Sequence, residues 1–243
     1  PQIKAGVAAG QPFGVGLRLG YAAAQALREP DRLAELKHFL EAGGYYVFTL
    51  NGFPYGAFHG RSVKEGAYAP DWSDPQRLAY TNHLADILSQ LLPAGQQGSV
   101  STVPCTYKAW APGRGEAIDD QLLRHVAHLV GIAQRSGRTI SLALEPEPDC
   151  LLETMAEAVS YFNQHLFARA AVARVAGLTG LTRTAAQDAL HRHIGVCYDV
   201  CHAAVEFEDP KASIAELRAA GILISKLQLS SALRIESFDA TSA

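Results

Sequence analysis

The chain has 243 residues, 48% of them apolar and 19% charged, with a formal net charge of −3. That length supports one large domain or two small ones with an ample core. A balance so near neutral gives no electrostatic case for nucleic acid or an anionic membrane. No apolar run approaches a bilayer span, and no signal-peptide pattern opens the chain. Four scattered cysteines, Cys105, Cys150, Cys197 and Cys201, form no disulfide framework and point to a reducing, cytoplasmic setting. The spacing of Cys197 and Cys201 is not that of a zinc knuckle, and both read as small core residues.

Six strands are expected along the chain: "VGLRLG" (15–20), "YYVFTLNGF" (45–53), "GSVSTVP" (98–104), "ISLALEP" (140–146), "HIGVCYDV" (193–200) and "ISKLQLSS" (224–231). Helices lie between them. Asp74 caps a helix with Pro75 at its first position, and Leu84, Leu88, Leu91 and Leu92 share its apolar face. Trp72 packs across that helix entry. A helix from about Ile118 repeats Leu122, Val126, Leu129 and Ala133. Thr154 with Glu157, and Thr184 with Gln187, have capping-box spacing. A last helix starts at Asp209-Pro210 and stops at Gly221.

Helices interleaved with apolar strands predict a parallel sheet covered by helices. No linker-like shift in composition divides residues 1–243, so one α/β domain is expected. No glycine-rich phosphate fingerprint follows the first strand, which weakens a doubly wound dinucleotide fold. Asn51, Glu145, Asp199 and Gln228 instead fall at the C-terminal ends of successive strands, where (βα)8 barrels place their chemistry. A (βα)8 TIM barrel is therefore expected, with about six βα units present.

In "LALEPEPDCLLET", Glu145 and Glu147 stand two residues apart, each followed by proline. Strand alternation sends both to one side, and two like charges there call for a positive counterpart. "CYDVCH" supplies Asp199 at a strand end and His202 three residues on. Oxygen and nitrogen ligands of this kind suit Mg²⁺, Mn²⁺, Co²⁺ or Zn²⁺, and one divalent ion between adjacent strand ends would neutralise the pair. The competing reading makes these carboxylates helix caps or arginine partners. In "TLNGFPYGAFHGRSVK", Asn51 and His59 can meet a polyol, and Lys64 an anion, in a loop that lids the mouth. Gln228 is a neutral oxygen ligand, and Lys226 shares its parity and points inward. Lys108 and Arg114 flank the third loop, as phosphate contacts or as surface charge.

"LEPEP" resembles the "EPKP" motif of xylose isomerases, and "YDVCH" the Asp-x-x-His of the xylose-isomerase-like barrels, which include sugar isomerases, epimerases and endonuclease IV. The longer stretches "YVFTLNGFPYGAFHG", "VKEGAYAPDWSDPQRLAYT", "GSVSTVP", "LALEPEPDCLLET", "GVCYDVCHAAVEFEDP" and "KLQLSSALR" resemble the EboE-type metabolite-traffic family over nearly the whole chain. The resemblance implies a divalent-metal site with Glu145 and Asp199 as ligands, and His202 on substrate or metal. It implies a small sugar- or polyol-like metabolite as partner, alongside other proteins of a traffic system. Glu147 stands where xylose isomerase has lysine, and Gln228 where epimerases commonly have histidine. No counterpart of the superfamily's final metal-binding glutamate is found, and with Pro1 opening the chain this predicts trimming at both ends. An isomerase or epimerase is the leading expectation, with Glu145 as ligand and base. A non-catalytic metabolite-binding barrel and an endonuclease IV-like phosphodiesterase are the alternatives.

Overall fold

The computed structural model describes residues 2–56 and 64–234. In chain order the elements are α1 (Gln2–Val7), β1 (Phe13–Arg18), α2 (Tyr21–Ala26), α3 (Pro30–Ala42), β2 (Tyr45–Asn51), α4 (Pro75–Leu91), β3 (Gln97–Thr102), α5 (Gly115–Ser136), β4 (Thr139–Leu144), α6 (Met155–Tyr161), α7 (Arg169–Thr179), α8 (Arg183–His193), β5 (Ile194–Asp199), α9 (Val200–Val205), α10 (Pro210–Ala219) and β6 (Leu223–Gln228). The six strands form one all-parallel sheet in the order β1-β2-β3-β4-β5-β6. Sequential order without a reversal excludes the doubly wound alternative and is that of an incomplete (βα)8 barrel. The sheet curls strongly. Lys226 on β6 reaches Ser101 on β3, with Nζ to Oγ at 3.0 Å, across the concave face.

Strand alternation separates two environments. Leu50, Val100, Leu142, Leu144, Val196 and Tyr198 point outward and are almost fully buried under the helices. The concave face is small and polar instead. Thr49, Ser99 and Ser141 lie in register across β2, β3 and β4, and the Thr49 and Ser99 hydroxyls bond at 2.8 Å. These short side chains fill the barrel floor while satisfying one another, which leaves charge for the strand ends.

Helix starts follow the sequence in most places. Asp74 accepts from the Gln76 amide ahead of α4, Thr154 and Glu157 form the full capping box of α6, and Asp209 caps α10. At α8 the expected box at Thr184 is not used. Thr182 caps instead, two residues earlier, accepting from the Ala185 amide. Trp72 is fully buried and donates Nε1–H to Thr102 Oγ1 at 3.2 Å, tying the α4 entry to the end of β3. Among the described residues, no helix is long and apolar enough to cross a membrane.

A candidate metal and substrate site at the barrel mouth

The site begins where β4 ends. Its last sheet residue is Leu144, paired with Val196, so Glu145 and Cys197 are the next inward positions on neighbouring strands. The chain then leaves the sheet through Pro146 and Pro148. The Glu145 amide still donates to Thr102 O at 3.1 Å, which fixes its side chain on the concave side. Asp199 closes β5 and caps α9, accepting from the Cys201 amide at 2.9 Å and from the Ser230 hydroxyl. A register shift between Val196 and Cys197 sets Lys226 opposite Cys197 and Gln228 opposite Asp199.

These placements converge. Gln228 Nε2 donates to Glu145 Oε1 at 2.8 Å and also to Asp199 Oδ2. One amide therefore joins the two carboxylates, and its nitrogen must face them because ionised carboxylates only accept. Both acids are about 5% exposed, and Glu145 Oε2 accepts no hydrogen bond. A buried anionic oxygen without a donor is costly. Glu145 and Asp199 meet here at the Gln228 amide nitrogen, and two neighbouring carboxylates are a donor set that suits a divalent cation.

The electrostatics follow from burial. Desolvation raises the Glu145 carboxyl, Lys226 and His202 pull it down, and Asp199 pushes it up again. Desolvation also works against ionised Asp199, but hydrogen bonds from Ser230 and Cys201 and the charge of His202 outweigh it and hold it below the usual range. Glu147 is raised to about 7, by burial first, against the pull of His202 and the Tyr68 hydroxyl. His202 Nδ1 lies 3.0 Å from Pro146 O. A carbonyl only accepts, so Nδ1 carries a proton, and in the neutral ring Nε2 keeps a lone pair for a metal or substrate.

Glu145, Asp199, Gln228, His202 and Glu147 thus come together. Asn51 ends β2 on the same concave side, level with Ser101, with Oδ1 accepting from the Phe53 amide at 3.0 Å. His59 lies outside the described residues, and Lys64 begins a short 3₁₀ turn, Lys64–Tyr68. Lys108 and Arg114 are not free for phosphate. Lys108 pairs with Glu153 and Glu157, and Arg114 with buried Asp71 at 2.7 Å. Cys197 is buried as expected, whereas Cys201 departs from the core reading and lies half-exposed beside Asp199.

Three further residues shape the site without a sequence signal that marks them. The Tyr68 hydroxyl, from a turn far away in sequence, favours ionised Glu147. Ser230 follows β6 and holds Asp199. Arg77 is fully buried and donates to Gly52 O at 2.8 Å, Phe53 O at 3.1 Å and Pro70 O at 2.7 Å, fixing the loop that follows Asn51. Its helical position beside Pro75 carries no signal that distinguishes it from a surface arginine.

No family model matches the chain, and no curated protein does. Among solved structures it is similar to the IolI protein crystallised with a binding zinc atom, at 16% identity over 86% of this chain and 60% of that one, TM-score 0.47. It is also similar to the probable 3-DHS dehydratase AsbF of Bacillus anthracis, involved in petrobactin synthesis, at 14% identity over 84% and 59%, TM-score 0.43. A third is a xylose isomerase domain protein of Alicyclobacillus acidocaldarius subsp. acidocaldarius, at 11% identity over 88% and 72%, TM-score 0.44. The chain spans less than two thirds of the length of the first two. The barrel assignment rests on the strand order itself.

Proposed function

We propose that this chain is a xylose-isomerase-like barrel, dependent on a divalent metal (Mn, Mg, Co or Zn), that isomerises or epimerises a small sugar- or polyol-like metabolite. The observation that carries the reading is the pair Glu145 and Asp199, joined through Gln228 at the barrel mouth with a buried, unpartnered Glu145 oxygen. Glu145 and Asp199 are the proposed ligands; Gln228, the third ligand expected from the sequence, holds both acids through its amide nitrogen and would have to turn its amide over to offer its oxygen. A bound cation supplies the positive charge that stabilises the oxyanion developing when a carbon acid next to a carbonyl loses its proton. Glu145 is the proposed base. Glu147, with Tyr68 on its carboxyl, lies at the outer edge of the cluster and meets substrate hydroxyls there. His202 offers Nε2, and Asn51 its amide NH₂, to orient the same molecule. The long loop resemblance supports work in secondary-metabolite handling, among other traffic proteins. Four unpaired cysteines support a reducing, cytoplasmic setting.

One observation favours a second reading. Gln228 already bridges both acids without an ion, an arrangement that also suits a barrel that binds and hands on a metabolite without turnover. Solvent-deuterium exchange separates the two. Incubated in D₂O with a divalent metal and a panel of ketoses and inososes, the enzyme reading gives deuterium at the carbon beside the carbonyl, and Glu145→Gln abolishes it. Saturable ligand binding with no exchange supports the carrier instead.

A further inference from the structure

The ligand set that the fold assembles differs from the one that strand parity suggests. A carboxylate oxygen of Asp199, the thiol of Cys201 and an imidazole nitrogen of His202 all lie within 4.8 Å of one another. The cause is local. Asp199 caps α9, and its bond to the Cys201 amide at 2.9 Å holds the first helical turn against the carboxylate. That brings the thiol beside Asp199 and Ser230. A second feature lies on the carboxylate joined to Asp199 through Gln228. Glu145, 5% exposed, shares the Gln228 amide with Asp199 yet leaves Oε2 buried without a donor. His202 supplies the third donor, and with Nδ1 bonded to Pro146 O the neutral ring has Nε2 to offer.

We propose that Cys201 is a metal ligand in this mouth, and that its sulfur makes the site select zinc over magnesium or manganese. The inference rests on the metal reading above and sharpens it. Thiolate and imidazole are donors suited to Zn²⁺ and Co²⁺, whereas Mg²⁺ and Mn²⁺ favour all-oxygen surroundings. On binding, the Cys201 S–H bond breaks, sulfur bonds to the cation and the proton passes to solvent. No electron is transferred. Ser230 and Gln228 remain as donors on the Asp199 oxygens and hold that ligand in place.

Cobalt gives the direct test. Chelator-stripped protein is titrated with Co²⁺ and followed for the near-ultraviolet thiolate-to-cobalt absorption. Wild type is expected to show the band, Cys197→Ser to keep it and Cys201→Ser to lose it. Zinc affinity should fall at least tenfold in Cys201→Ser while manganese affinity changes less than twofold. A measurement without mutation stands beside it. Cys201 is partly accessible whereas the other three cysteines are buried, so zinc should protect it from alkylation, read by peptide mass. Cobalt bound with no thiolate band, or zinc that leaves Cys201 equally alkylated, overturns the proposal while sparing the metal reading. Absence of binding by all of Zn²⁺, Co²⁺, Mn²⁺ and Mg²⁺ overturns both.

Discussion

At the residue scale the most informative side chain is Glu147. Burial lifts its carboxyl from the ordinary 4.5 to about 7. Between those values the folded chain holds a proton that the unfolded chain has released. Stability of the metal-free protein therefore falls as pH rises through that window and is level above it. The size is bounded at about 3 kcal/mol, and the half-buried position lowers it. Asp199 acts oppositely. Held below its ordinary 3.8, it adds stability above that value and loses it as pH falls through its folded value. Glu147→Gln should thus flatten the slope between pH 4.5 and 7, and at pH 8 leave the metal-free protein as stable as wild type or more so. Urea titrations across pH measure this. Clearly lower stability at pH 8 would mean that the Tyr68 contact is a structural hydrogen bond and that Glu147 is not a strained site acid.

At the element scale, the boundaries explain what could be read in advance. Glu145 and Asp199 were legible because each ends an apolar run, and a parallel strand that is buried on both sides leaves only its C-terminal end for charge. Proline and capping residues fixed the starts of α4, α6 and α10. The register of β6 was not legible. The irregularity between Val196 and Cys197 that brings Gln228 level with Asp199 leaves no trace in periodicity. Tyr68 and Ser230 were hidden for a related reason, since both arrive from loops. Gly195 makes the register testable. A Cβ there would lie 2.1 Å from Leu223 O, a backbone atom that cannot turn aside. Gly195→Ala should cost at least about 2 kcal/mol by overpacking and should weaken metal binding together with stability. The matched control is Gly177→Ala, exposed in α7 with nothing within 4 Å; it should gain about 0.5–1 kcal/mol and leave binding untouched. Denaturant unfolding of both variants checks the pair. A benign Gly195→Ala would show that the β5–β6 register is not what positions Gln228.

At the scale of the molecule, six sequential parallel strands curl until β4, β5 and β6 present their ends to one another. The floor is a layer of small hydroxyls. Above it come Lys226 and Glu145, and at the rim Asp199, Gln228, Glu147 and His202. Negative charge is thus gathered where the barrel opens, with one lysine, one amide and one imidazole to answer it. That arrangement answers the repulsion between paired glutamates only in part, because Glu145 Oε2 still has no partner. A divalent cation is proposed to complete it. Calorimetric titration of chelator-stripped protein with Zn²⁺ and Mn²⁺ tests this most directly. Wild type should bind one equivalent, at least tenfold more tightly than either Glu145→Gln or Asp199→Asn, with both variants still folded. Equal affinity in all three proteins, or no binding to wild type, would contradict it and leave Gln228, Lys226 and His202 to answer the buried charge.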